Sequence, residues 1–136
     1  MEKKQWKNLP DFLVVGIETI DEQHDEFVGL LNKLSILEIC RQNKDDLQDL
    51  INQLKEYSSR HFEDEVKLMY ECEYPGIEQH QEFHQIFKEK LAEFEKGLSY
   101  KNLMIDAQLK TFLSRWALNH IGEHDLKFGE YYRSKA

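Results

Sequence analysis

The sequence predicts an all-α protein: an up-down-up-down antiparallel four-helix bundle preceded by an irregular N-terminal arm. Four stretches repeat apolar residues at steps of three and four, the spacing of one face of an α-helix. Only 6 glycines and 2 prolines occur in 136 residues, which disfavours a turn-rich β architecture. Short links between amphipathic helices favour antiparallel neighbours. The length fits a single domain, which we expect to span residues 1–136.

The arm is predicted over residues 1–18 and the bundle over residues 19–133. The arm contains Trp6 and the apolar run Phe12–Val15, without a sustained helical period. The first helix follows, and its inward stripe consists of Ile20, His24, Phe27, Leu31 and Leu34.

The other three helices each begin beside a residue that starts or breaks helices. Asn43 can cap the second helix, where the acidic residues 45–46 favour the positive end of the helix dipole. The third helix follows the helix-breaking Pro75-Gly76 pair, and the fourth follows Asn102. Their stripes are Leu47, Leu50, Leu54, Tyr57, His61, Glu65, Leu68 and Cys72; then Ile77, His80, His84, Phe87, Leu91, Phe94 and Leu98; then Leu109, Phe112, Leu113, Trp116, His120, Ile121, Asp125, Phe128 and Tyr132.

The charge balance excludes two classes of partner. A formal charge of -8 repels phosphate backbones and anionic headgroups, so we expect no nucleic-acid binding and no membrane binding. The apolar run at residues 12–17 is too short for a membrane span or a signal-peptide core. We therefore expect a cytoplasmic protein.

Histidines and carboxylates interrupt the apolar stripes where leucine is expected. A single core histidine is more often a hydrogen-bonded structural residue than a metal ligand. Five inward histidines together with carboxylates are different, because each unmatched buried polar group costs on the order of 1–3 kcal/mol. These residues are His24, His61, Glu65, His80, His84, His120 and Asp125.

The seven residues are predicted to lie at one height in the bundle. Two residues of an antiparallel helix pair lie level when they are equally far from the link between the helices. The pairs His24–His61, His61–His84 and His80–Asp125 meet this condition at the first, second and third link. Chance scatter would not satisfy three links at once, so metal binding is favoured over a metal-free structural bundle.

Local spacing supports part of this cluster. The HxxxE spacing of His61 and Glu65, like the HxxxH spacing of His80 and His84, places both side chains on one helical face. His120 and Asp125 are five residues apart, about 140° around an α-helix. Spacing alone therefore proposes His124 equally well as the partner of His120.

Imidazole and carboxylate donors without thiolate suit iron, manganese or zinc, and seven donors are too many for one ion. Two octahedral ions, bridged by both carboxylates and by a solvent-derived oxygen, retain one open position. The first two helices supply two histidines, His24 and His61, whereas the last two supply three. The open position should therefore lie on the ion that His24 and His61 hold. Such a position admits a small diatomic ligand but leaves little room for an organic substrate.

Apolar side chains are predicted around this position, namely Phe27, Phe62, Trp116 and Ile121. Ordinary core packing explains them as well as a ligand pocket does. In a pocket they would exclude water and slow the loss of a bound oxidised ligand.

The chain resembles the hemerythrin family, and its bacterial members in particular, over nearly its whole length. The matching pieces are Trp6, the residues from Val15-Gly16-Ile17 through Ile20-Asp21-Glu22-Gln23-His24, HFEDE at 61–65, HQEFH at 80–84 and WALNHIGEHD at 116–125. The resemblance implies two iron ions in an oxo- or hydroxo-bridged di-iron centre that binds dioxygen reversibly. It implies that His80, His84 and His120 hold one iron, that His24 and His61 hold the other, and that Glu65 and Asp125 bridge them.

The resemblance also favours Asp125 over His124, which becomes an outer or solvent-facing residue. One position departs from the family, because Ala117 follows the tryptophan where a leucine usually lines the oxygen pocket. A smaller side chain there can open a passage to solvent and speed oxygen exchange and autoxidation.

The first functional hypothesis is oxygen storage, transport or delivery, with nitric oxide or azide-like anions as other ligands. The second is a module that senses oxygen, nitric oxide or redox state, for which no protein partner can be named. A di-iron peroxidase or oxidase is a third. We do not expect an enzyme, because oxygen-activating bundles usually offer carboxylate-rich sites with ExxH pairs, and an obvious proton donor is lacking here.

Overall fold

The computed structural model describes residues 5–40, 44–99 and 105–135, and every regular element in these ranges is helical. A 3-10 turn at Asp11–Leu13 lies in the arm. The long helices are α1 (Glu18–Cys40), α2 (Lys44–Glu71) and α3 (Ile77–Ser99). The fourth rod consists of α4 (Ile105–Trp116), a π-helical segment (Ala117–Asp125) and α5 (Leu126–Lys135), which follow one another without a break.

The four rods pack as a bundle, which confirms the predicted fold class. Helix α1 packs against α2 and α4, and α3 packs against the same two helices. The acidic residues 45–46 lie in the first turn of α2, as predicted. The proposed caps Asn43 and Asn102 lie outside the described residues.

The core has two apolar clusters with a polar layer between them. Along α1, His24 lies between Ile20 of the smaller cluster and Phe27 of the larger one. Along α2, the polar layer lies between Tyr57 of the larger cluster and Met69 of the smaller one. The predicted histidines and carboxylates therefore interrupt a core that is continuous and apolar above and below them.

The N-terminal arm is held against α1 by two aspartates. Asp25 Oδ1 accepts hydrogen bonds from the backbone N–H groups of Asn8 and Leu9, at 2.6 and 2.8 Å. Asp21 accepts from the backbone N–H groups of Val15 and Gly16, at 2.8 and 3.1 Å. Four arm residues are buried, so the arm belongs to the packed structure although it lacks long helices: Leu9, Leu13, Val15 and Ile17.

Within the described parts of the chain, none of the helices combines the length and the apolar character that crossing a bilayer requires.

Candidate metal centre

All seven residues singled out from the sequence meet in the polar layer, and each is buried. Helix α1 contributes one of them, α2 two, α3 two and the π segment two. Their ring and carboxylate atoms form two donor groups, in each of which all ligand atoms lie within 4.8 Å of one another. The groups are Glu65, His80, His84 and His120, and His24, His61, Glu65 and Asp125.

Glu65 belongs to both groups and divides its two oxygens between them. Its Oε1 contacts Nε2 of His80 and lies 3.2 Å from Nε2 of His84. Its Oε2 lies 3.3 Å from Nε2 of His61. This division is what a carboxylate that bridges two ions requires.

Asp125 divides its oxygens in the same way. Its Oδ1 lies 2.7 Å from Nε2 of His80 and 3.1 Å from Nε2 of His120. Its Oδ2 lies 3.0 Å from Nε2 of His24. Two carboxylates therefore run between a three-histidine side and a two-histidine side.

The donor atoms fit metal ions better than they fit one another. Four atoms that face the layer are fully buried and have no hydrogen-bond partner: Oδ2 of Asp125, Oε2 of Glu65, Nε2 of His24 and Nε2 of His120. Oδ2 of Asp125 and Nε2 of His24 are nevertheless only 3.0 Å apart. Buried polar groups in native proteins are nearly always satisfied. Orphaned atoms that converge from α1, α2 and the π segment thus indicate a shared positive charge between them, and imidazole with carboxylate is a donor set suited to iron, manganese or zinc.

The carboxylates and imidazoles of the layer shift one another's pKa values. Burial alone would raise the pKa of both carboxyl groups, but the surrounding imidazoles outweigh it and hold the pKa values of Glu65 and Asp125 below their ordinary range. Burial disfavours a charged His80, yet contacts with Asp125 and Glu65 raise its pKa to about 9. Burial lowers the pKa values of His61 and His84. In the metal-free protein, His80 therefore carries a proton between the two carboxylates.

The π segment explains the five-residue spacing that an α-helical period left open. A π-helix closes hydrogen bonds from residue i to residue i+5, so residues five apart lie one above the other. His120 and Asp125 accordingly face the same layer. His124 points elsewhere, because its ring is half-buried and stacks on Phe83 with a centroid distance of 4.2 Å.

The predicted apolar residues lie beside the layer. Phe62 stacks on the ring of His84 at 3.8 Å, and the half-buried Trp116 stacks on His120 at 4.1 Å. Phe27 contacts the rings of Tyr57 and Phe87, at 5.7 and 6.5 Å. Ala117 and Ile121 are buried in the same apolar cluster. The imidazoles are thus walled by rings on the side of the larger core.

A cleft between α2 and α3 connects this wall with solvent. It has a volume of about 370 Å³, and its lining includes Phe62, His84, Ser59 and Lys88. His84, which is 4% exposed, is therefore a cluster histidine that lies at the inner wall of this cleft.

Three residues beside the centre were not predicted as site residues from the sequence: Tyr57, Gln23 and Asp64. Tyr57 is buried and stacks on His61, with ring centroids 5.3 Å apart and planes 10° apart. Gln23 accepts a hydrogen bond from His61 Nδ1 at 2.6 Å and donates to Asp64 at 2.7 Å. Gln23 occupies a core position of the helical repeat three residues after Ile20, so it could have been found as a further polar interruption of the stripe.

The family model described as the hemerythrin HHE cation binding domain matches residues 15–132. A bacteriohemerythrin of Stenotrophomonas maltophilia is 32% identical over 120 residues, which cover 88% of this chain and 77% of that protein. A bacteriohemerythrin of Clostridium acetobutylicum is 28% identical over 127 residues, covering 90% and 96%. One from Campylobacter jejuni is 27% identical over 122 residues, covering 87% and 89%.

Proposed function

The chain belongs to the hemerythrin family, and we propose that it binds dioxygen reversibly at a non-haem di-iron centre, as an oxygen storage, transport or delivery protein. The observation that carries the proposal is the division of Glu65 and Asp125 between two histidine groups. One shared carboxylate could be an accident of packing. Two that span the same pair of groups favour two ions held side by side.

The donors are proposed to act in two sets joined by bridges. His80, His84 and His120 would hold one iron, while His24 and His61 would hold the other. Two ferrous ions supply the electrons for reversible binding of dioxygen when they are present. The side with fewer imidazoles keeps the open position, so this side is proposed to receive the ligand.

The surroundings support binding rather than turnover. Phe27, Phe62 and Ile121 are buried and offer neither an acid nor a base. Tyr57 is a proton donor against His61, but burial raises its pKa well above the ordinary value. A group with so high a pKa is a poor general acid at neutral pH. We therefore propose that the protein is not primarily an enzyme.

The same open position would accept other small ligands. Nitric oxide and azide-like anions are compact enough for a pocket walled by aromatic rings and need no charged anchor beyond the metal. We propose that they compete with dioxygen.

An absorption titration tests the proposal. Protein loaded with ferrous iron under argon should bind two irons per chain, develop a visible charge-transfer band in air and lose it again under argon. Glu65→Ala should abolish the band because both donor groups lose a shared oxygen ligand. Glu63→Ala, two residues away and exposed, serves as the matched control and should behave like the parent. Iron binding without a reversible band would contradict oxygen carriage.

A further inference from the structure

The five cluster histidines differ in what holds the ring nitrogen that faces away from the centre. Among the described residues, His61 is the one whose Nδ1 has a protein partner, the side-chain Oε1 of Gln23 at 2.6 Å. Nδ1 of His24 and Nδ1 of His120 are buried without any partner. The side chain that differs is thus on the two-histidine side, where the open position is proposed.

Asp64 fixes the direction of this contact. Its Oδ2 lies 2.7 Å from Nε2 of Gln23, and an ionised carboxylate can only accept hydrogen bonds. The NH₂ group of Gln23 must therefore face Asp64, which leaves the amide oxygen to face His61. Nδ1 of His61 then carries the proton, and the lone pair of Nε2 points into the centre.

The chain of contacts also changes how strongly His61 donates electrons. A hydrogen bond to a charged acceptor is stronger than one between neutral groups, and hydrogen bonds in series polarise one another. An imidazole whose N–H is held by a good acceptor is a more basic metal ligand. Gln23 is buried and Asp64 is partly exposed. The charge of Asp64, near the surface of α2, can therefore polarise the buried His61 through the single amide of Gln23.

We infer that Asp64, acting through Gln23, fixes the tautomer of His61 and lowers the reduction potential of the iron position on the two-histidine side. Gln23 and Asp64 are positioning residues in this inference, since neither reaches the donor groups themselves. The inference rests on the proposed di-iron function and deepens it. It makes the two iron positions electronically unequal before any ligand arrives.

The competing explanation is purely structural. Gln23 lies on α1 and Asp64 on α2, so their hydrogen bond also joins two helices. A structural role predicts lower stability in the variants but no change in reduction potential. It also predicts no effect on the Nδ1 proton of His61.

The test measures midpoint potentials of the iron-loaded protein by spectroelectrochemistry, after its iron content has been determined. Gln23→Met keeps the length of the side chain and removes both hydrogen bonds. We expect it to shift the ratio of oxidised to reduced protein about tenfold toward the reduced form, or about 59 mV for a one-electron step. Asp64→Asn should shift it in the same direction by less, because a neutral acceptor remains. Gln23→Glu restores an acceptor and should bring the potential back to the parent value or below it.

A charge-matched control separates the hydrogen-bond chain from the general electric field. Glu63→Gln removes one negative charge from the residue next to Asp64, without a contact to Gln23. Asp64→Asn must therefore raise the potential more than Glu63→Gln does. In proton NMR of the ferrous protein, the hyperfine-shifted Nδ1–H signal of His61 should exchange with deuterium slowly in the parent and quickly in Gln23→Met.

Potentials that do not move in Gln23→Met, or an equal effect of Asp64→Asn and Glu63→Gln, would overturn the inference while leaving oxygen binding intact. If Gln23→Met folds but loses iron, the potentials of Asp64→Asn and Glu63→Gln still show whether the hydrogen-bond chain sets the reduction potential. A parent protein that takes up no iron would instead refute the proposed function itself.

Discussion

At the scale of single residues, two carboxylates link the five histidines that meet in one buried layer. Each directs one oxygen to the three-histidine side and the other to the two-histidine side. Without ions, this layer leaves buried atoms of Glu65, Asp125, His24 and His120 unpaired. The cost of these atoms is the reason to regard the layer as a metal site rather than a structural network.

Six of the seven inward polar residues could be predicted because they interrupt apolar stripes at helical steps, whereas spacing alone left Asp125 and His124 as equal choices. Gln23 and Asp64 could not be assigned a role in this way. Gln23 precedes His24 in the chain but contacts His61 on the next helix, and Asp64 reaches Gln23 rather than any histidine. Their roles depend on side-chain directions between helices, which periodicity does not contain.

A substitution of Ala117 tests whether its small side chain opens a passage between the ligand pocket and solvent. Ala117 is buried at the start of the π segment, so Ala117→Leu adds volume where the family usually has leucine. We expect the oxygenated form to decay a few-fold more slowly, because a larger apolar side chain restricts water. The decay is followed at the charge-transfer band.

Leu118→Ala is the matched control, since Leu118 is 56% exposed beside Ala117. It should leave the decay unchanged. An equal decay rate in Ala117→Leu and the parent would remove the idea of an open passage.

The pKa of His80 predicts a pH dependence of metal uptake. Its pKa is raised to about 9, so the ring is protonated at pH 7.5 and must lose that proton to coordinate a metal. The number of protons released on binding Mn²⁺ should fall by about one between pH 7.5 and pH 10, because the ring is already neutral at the higher pH. Calorimetry in buffers of different ionisation enthalpy measures it, and a constant release over this range would contradict the charge assignment.

At the scale of the elements, the π segment determines which residues of the fourth rod face the centre. An α-helix with the same sequence would leave His120 and Asp125 about 140° apart. The segment puts them on one face and leaves His124 against Phe83. The helices themselves were predictable from their 3–4 repeat, whereas the π segment was not, because that repeat assumes α-helical geometry throughout.

A deletion tests this account of the π segment. Removing the exposed Glu123 shortens the spacing of His120 and Asp125 to four residues, which a regular α-helix holds on one face. We expect the variant to fold with a regular fourth helix and to keep its iron. Iron content and circular dichroism provide the readout.

Deletion of Lys127 is the control, because it is also exposed but lies beyond Asp125. It should destabilise the protein, since it rotates the fully buried Phe128 away from the smaller core cluster. Loss of iron from the Glu123 deletion with retention by the Lys127 deletion would contradict the role given to the segment.

At the scale of the whole molecule, a polar layer divides the core into two apolar clusters. The stability of the bundle therefore depends on the charges that neutralise that layer. The fold class could be predicted from the sequence because four amphipathic stripes with short links admit few arrangements. The packing of the arm could not, since it depends on Asp21 and Asp25 accepting hydrogen bonds from the backbone N–H groups of Val15 and Asn8, contacts that a helical repeat does not predict.

Metal removal should consequently lower the stability of the whole bundle. A ligand present at a thousand times its dissociation constant stabilises the folded state by about 4 kcal/mol. We expect chelation of the reduced protein to lower the Tm by about 10 °C or more. Differential scanning calorimetry measures the change, with Glu65→Ala as a control in which the chelator should have no effect. An unchanged Tm of the parent would argue against coordination in the core.

An anomalous difference map at the iron absorption edge, from crystals of the iron-loaded protein, tests most directly whether the polar layer holds two ions. We expect two peaks inside the bundle. One should lie beside Nε2 of His80, His84 and His120, the other beside Nε2 of His24 and His61, with Glu65 and Asp125 between them. A single peak, or iron found only on the surface, would contradict it.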